Sequence, residues 1–174
     1  MNLYIVRHAI AVPRGTPGIP DNDRALTREG IQKMKQVAAG VRRLGYVPDL
    51  MLSSPLVRAR QTAEILLQGF GKPVELRFTQ ALEPGGSRHD LYRDIASLKE
   101  KKIKDLMIVG HQPSLGEIAG EIAFGSARHC IELKKGGVCV IELETTQGTP
   151  KGIMTALLTP SILRNIAEPN RNRV

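Results

Sequence analysis

Residues 106–123 read LMIVGHQPSLGEIAGEIA: four apolar residues, a Gly-His pair, then a segment of helical spacing that starts near Ser114. A short apolar run that turns at once into a helix is one half of a strand–helix unit with the strand buried. The N-terminus carries the same theme. LYIVRHAIA (3–11) passes from apolar residues into Arg7-His8, two hydrogen-bonding heads placed where a core strand should end. Gly110-His111 and Arg7-His8 thus occupy equivalent positions in two strand–loop units.

The segments between them follow the same alternation. NLYIV (2–6) is the first expected strand, and the Pro- and Gly-dense VPRGTPGIPDNDR that follows is read as a long irregular loop. Thr27 offers an N-cap; Ile31, Met34, Val37, Val41 and Leu44 recur at helical spacing, and Gly45 sits where a C′ glycine ends a helix. The strict capping box is missing, because Gly30 holds its third position. DLMLSS (49–54) is the second strand, and Pro55 is expected to open the helix LVRARQTAEILLQ. VELRF (74–78) is a third strand, and a helix with Leu91, Ile95 and Leu98 inward follows the turn-rich ALEPGGSRHD. The charge run LKEKKIKD (98–105) reads as a solvated helix end. GVCVIELE and GIMTALLT flank the turn-like TTQGTP and predict an antiparallel hairpin. Alternating strands and helices indicate an α/β fold, a mostly parallel central sheet covered on both faces in three layers, with the hairpin near the C-terminus.

The 174 residues suit one domain over 1–174, with about 166–174 as a polar tail. Hydrophobic residues are 41% and charged residues 24%, a globular composition, and no apolar run approaches the ~20 residues of a spanning helix. Arg7 interrupts the only apolar N-terminal run, so no cleavable leader is expected and the chain is read as cytoplasmic. Cys130 and Cys139 are then expected as reduced thiols. His8, His89, His111 and His129 are scattered without zinc-ligand spacing, so no metal or other cofactor is expected. The net charge of +8, from 25 Lys+Arg against 17 Asp+Glu, favours anionic partners, while six Tyr and Phe and no Trp leave little for stacking on nucleic-acid bases.

In α/β sheets, ligands bind beyond the carboxyl ends of the strands. If the strands ending at Val6, Ser54 and Val109 are parallel neighbours, two His and at least two Arg share one rim. Arg offers a planar fork matched to phosphoryl oxygens. A neutral His offers a nucleophilic ring nitrogen, and adjacent Arg charges should depress its pKa. This set suits phosphoryl transfer with His8 or His111 as nucleophile, and spacing leaves both open. Arg58 and Arg60 are equally placed for the helix arginine. Other phosphatase chemistries fit poorly. The position six residues after Cys130 is Gly136, and six after Cys139 is Thr145, where a cysteine phosphatase needs Arg. Asp21-Asn22-Asp23 lies in a loop rather than at a strand end, and no GxxxxGK[ST] occurs.

IVRHA, DNDRALTREG, SSPLVRARQTAE and VGHQPSL, in this order, resemble the histidine phosphatase (phosphoglycerate mutase-like) superfamily, and most nearly its short SixA-type phosphohistidine phosphatases. The resemblance implies the phosphoglycerate mutase-like α/β/α fold and a metal-independent hydrolase. It implies that His8 is the transiently phosphorylated nucleophile, that Arg7 and Arg58 bind phosphoryl oxygens, and that His111 contacts the phosphoryl group. Arg24 would help line the phosphate pocket. Asn165 falls in a matching closing segment with no assigned role. Ala9 replaces the family's commoner Gly, which raises the question of backbone conformation there. Glu83, in ALEPGG, is the nearest candidate for the general acid that small-ester members supply. A phosphoramidate needs that acid less, because its leaving imidazole can take up a proton itself.

The implied partner is a signalling protein phosphorylated on histidine. The rivals are a phosphatase or mutase for small phosphate esters with Glu83 as acid, and a basic module that binds phosphate without turnover. Arg24 has an alternative role as an ion-pair partner of Asp21 or Asp23, and His89 and His129 are read as surface or helix-end residues.

Overall fold

Apolar residues alternate between two directions along the first strand: Tyr4 and Val6 enter one core cluster, Leu3 and Ile5 the other. A strand buried on both faces must have helices on both, and that is the architecture observed. The computed structural model describes residues 1–128 and 131–168. Its six strands are β1 (Asn2–Arg7), β2 (Leu50–Ser53), β3 (Glu75–Phe78), β4 (Asp105–Gly110), β5 (Val138–Thr145) and β6 (Lys151–Leu158). They form one sheet in the order β3-β2-β4-β1-β5-β6, with β3, β2, β4 and β1 mutually parallel and β5 antiparallel to both neighbours.

Five helices cover the sheet: α1 (Arg28–Arg43), α2 (Val57–Phe70), α3 (Arg88–Glu100), α4 (Ser114–Phe124) and α5 (Pro160–Ala167). Met34, Ala63 and Leu163 place α1, α2 and α5 against one face. Leu91, Ile95 and Ile118 place α3 and α4 against the other. In β4 every residue from Leu106 to Val109 is fully buried, each large side chain contributing roughly 1.5–3 kcal/mol. Among the described residues, no helix is long and apolar enough to cross a membrane.

The connections explain where a crevice opens. Chains leaving β1 and β2 turn toward the α1/α2 face, whereas the chain leaving β4, between them, turns into α4 on the opposite face. Adjacent strands whose exits diverge leave a gap beyond their carboxyl ends.

Local details follow the sequence closely, with two differences. Thr27 caps α1 by accepting the Gly30 N–H (3.0 Å), and Gly45 closes the helix at φ 75°. The missing capping-box residue has a packing cause. A Cβ at Gly30 would stand 2.0 Å from the Ile10 carbonyl oxygen, so the first turn of α1 can lie against the segment after His8 only with glycine there. Pro55, expected to open α2, instead lies before its N-cap, Leu56. The long loop is less irregular than its composition suggests, with a 3₁₀ turn at Asp21–Asp23 and an isolated bridge between Ala11 and Leu26. Ala9 has no positive φ, so the turn after His8 does not require glycine. Cys139 is buried in β5, whereas Cys130, His129 and the tail from residue 169 lie outside the described residues.

Candidate active site

Register brings the strand ends level. Ser53 of β2 pairs with Val109 of β4, and Arg7 of β1 pairs with Gly110. Pairing continues one step past each strand, Ser54 N–H donating to the Val109 carbonyl (2.9 Å) and His8 N–H to the Gly110 carbonyl (3.0 Å). His8, Ser54 and His111 therefore emerge side by side at the crevice. The His8 and His111 rings stand 5.1 Å apart between centroids.

His8 is held in one orientation and one tautomer. Its Nδ1–H donates to the Ala9 carbonyl (2.8 Å), which leaves Nε2 with a free lone pair. The ring is 7% exposed. Burial first, then the charges of Arg58, Arg7 and Lys135, push its pKa down to about 4, with the Ala9 hydrogen bond opposing. The sequence argument assigned this depression to the arginines; desolvation is the larger cause. His111, 3% exposed, is lowered to about 3, again by burial ahead of His8 and Arg58. Both rings are neutral at pH 7.

The arginines are placed by backbone and by one carboxylate. Arg7 Nη1 donates to the Leu133 carbonyl (2.7 Å) in the segment before β5. Arg58, in the first turn of α2, is 1% exposed, and its Nη1 and Nη2 donate to the Asp21 carbonyl (2.7 Å) and carboxylate (3.2 Å). Arg60, tied with it in the sequence, faces solvent and pairs loosely with Glu64. Arg24 Nε donates to Asp21 Oδ1 (3.0 Å), and its Nη1 to the Val12 carbonyl (2.8 Å). Arg14 reaches the same Oδ1. Burial alone would raise the Asp21 carboxyl, but bonds from Arg14 and Arg24 and the Arg58 charge hold it below the usual range.

Three buried polar atoms find no partner among the described residues: Arg7 Nε, Arg58 Nε and His111 Nδ1. Buried polar groups are almost always satisfied, so three such atoms gathered around His8 leave room for hydrogen bonds to a group from outside the chain.

The structure thus gathers Arg7, His8, Arg58 and His111, with Arg24 joined through Asp21. Glu83 is not joined to them. It follows a 3₁₀ turn at Gln80–Leu82, half-buried, and no hydrogen bond or ion pair links its carboxylate to either histidine. His89 is exposed at the start of α3. Asn165 is exposed in α5.

Sequence reasoning missed the supports. Asp21, read from the sequence as a misplaced DxD carboxylate or a partner for Arg24, accepts from three arginines. Thr62, one turn after Arg58, accepts the Ala9 N–H (3.0 Å) and donates to the Arg58 carbonyl (2.7 Å). Gln61 accepts the Leu26 N–H (2.8 Å). The i, i+3, i+4 spacing of Arg58, Gln61 and Thr62 was the available signal.

A model described as the histidine phosphatase superfamily (branch 1) matches residues 3–82. An uncharacterised protein of Picosynechococcus sp. is 42% identical over 138 residues, covering 79% of this chain and 82% of the relative. A Haemophilus influenzae protein named as a phosphohistidine phosphatase SixA homolog is 34% identical over 131 residues, covering 70% of this chain and 77% of that one. Among solved structures, the protein histidine phosphatase SixA complexed with tungstate superposes with a TM-score of 0.82 at 21% identity, over 94% of this chain and 99% of the other. That likeness is one of fold. Motifs, sequence relatives and architecture agree, and the chain belongs to the histidine phosphatase superfamily, among its SixA-type members.

Proposed function

We propose that this superfamily phosphatase removes the phosphoryl group from phosphohistidine on a protein, through a covalent phospho-His8 intermediate. The observation that carries the reading is the state of His8: neutral, with Nδ1–H fixed on the Ala9 carbonyl and the Nε2 lone pair free beside the half-buried Arg7 and the buried Arg58.

In the first step His8 Nε2 attacks phosphorus. A P–N bond to His8 forms, the P–N bond to the substrate imidazole breaks, and the departing imidazole takes its proton from solvent. In the second, water attacks phospho-His8, phosphate leaves with the water oxygen, and the Nε2 lone pair returns. Arg7, Arg58 and the His111 Nδ1 side neutralise charge on the phosphoryl oxygens, with no reorganisation needed at the moment of transfer.

Phosphohistidine is favoured over an alkyl ester because an alkoxide leaving group needs a positioned acid, worth typically ~10²–10⁴-fold. Glu83, the nearest candidate, is bonded to neither histidine. The Haemophilus influenzae relative, named as a phosphohistidine phosphatase SixA homolog, and the structurally similar protein histidine phosphatase SixA support the same substrate class.

The test is paired hydrolysis of a phosphohistidine protein and simple phosphate monoesters by the purified chain. Preference for phosphohistidine, abolished in His8→Ala and retained in Glu83→Gln, is the expected result. Selective loss of ester hydrolysis in Glu83→Gln, with esters the better substrates, would transfer the site to small molecules.

A further inference from the structure

We propose that Ser54 is a positioning residue that fixes the tautomer of His111, putting its proton on Nδ1 so that this nitrogen donates to the phosphoryl group. The inference rests on the reading that His111 meets that group, and it specifies how.

The argument is a count of donors and acceptors. Ser54 is fully buried. Its Oγ accepts the Leu56 N–H (3.3 Å), in the short turn that leads from β2 into α2, and lies 2.9 Å from His111 Nε2. The neighbouring Ser53 hydroxyl bonds the Ser54 carbonyl instead (2.9 Å). Among the described residues the Ser54 O–H thus has one acceptor, His111 Nε2. If the hydroxyl donates there, one buried atom stays unpartnered, the Nδ1–H. If Nε2–H donates to Oγ instead, two stay unpartnered: the serine O–H and the Nδ1 lone pair. The first arrangement leaves fewer orphans.

His111 is neutral at pH 7, because burial holds its pKa near 3, so it has a single proton to place. The choice of nitrogen sets the sign of its contact with an anion. Nδ1–H attracts a phosphoryl oxygen; a bare Nδ1 repels it. The strand pairing that bonds Ser54 N–H to the Val109 carbonyl sets Ser54 beside the end of β4, where His111 follows, so the relay is part of the sheet itself. His111 then acts as a neutral hydrogen-bond donor, and neither as an imidazolium nor as a base at Nδ1.

Nitrogen-15 NMR of the histidine rings in the free protein at pH 7 reads the tautomer directly. Wild type should show His111 protonated at Nδ1 and bare at Nε2. Ser54→Ala should lose that preference, and turnover of a phosphohistidine protein should fall by roughly 2–12-fold, the worth of one neutral hydrogen bond. Ser54→Cys, similar in shape but a weaker donor, should fall between them. A proton on Nε2 in the wild-type spectrum overturns the proposal, as does a Ser54→Ala protein that keeps both the tautomer and the rate. Because the spectrum needs no substrate, its outcome is separate from His8→Ala, which tests the phosphoenzyme reading.

Discussion

The parallel strands β1, β2 and β4 and the antiparallel pair β5–β6 contribute unlike things to one rim. The parallel strands all finish there, so each delivers the side chains that follow it: Arg7-His8, Ser54 and His111. Strand β5 begins there, and what precedes it delivers backbone. The Leu133 carbonyl orients Arg7, and the Gly136 N–H bonds the carbonyls of Arg7 (3.0 Å) and His8 (3.2 Å). Away from the rim, β6 presents exposed Ile153 and Leu157 at the sheet edge. The same sheet thus has a chemical half, β1, β2 and β4, and a scaffolding half, β5 and β6.

The sharpest contrast lies within α2. Arg58→Ala should lower kcat/KM by about 10²–10³-fold, the usual cost of a preorganised charge-stabilising donor. Arg60→Ala, two residues further on and on the solvent face, should change it by less than about twofold. Steady-state kinetics on both variants decides whether burial, rather than charge, selects the arginine.

pH separates the two halves next. In the proposed mechanism neutral His8 is the reactive form, so kcat/KM should hold as pH falls through 6 and decline only as it approaches about 4. Stability has the same sign. Both histidines are depressed in the folded state, so the unfolded chain binds more protons below about 6.5, and stability is lost as pH falls toward 4. A rate profile breaking near 6.5 would mean His8 is not desolvated as described.

Asp21→Asn tests the carboxylate that orders three arginines. The fold should persist, while kcat/KM falls by about 3–10-fold as Arg58 and Arg24 lose a charged anchor, itself about one-third exposed and partly screened. The smallest effect belongs to the scaffolding half. Ile153→Thr on β6 should leave kcat/KM unchanged and move stability by no more than about 0.5 kcal/mol in denaturant unfolding.

The elements were legible because their signals are local. Thr27 and Gly45 mark the ends of α1, and four consecutive apolar residues mark β4 as buried on both faces. The positions of His8 and His111 were legible because both follow strands at once. What holds them was not. Leu133 and Gly136 act through backbone groups that every residue has. Asp21 reaches Arg58 across 37 residues, a contact set by how the long loop folds back. Arg58 and Arg60 differ only in which way the helix packs, and Gly30 is explained by an Ile10 carbonyl that no pattern in α1 reveals.

Most directly, the account requires a phosphoryl group on one atom. The protein should be mixed with a phosphohistidine protein, quenched in alkali within the first turnover, and the adduct located by fragmentation mass spectrometry. The expected result is a single acid-labile phosphoryl group on His8, absent from His8→Ala. Full turnover with no adduct, or an adduct on His111, would contradict it.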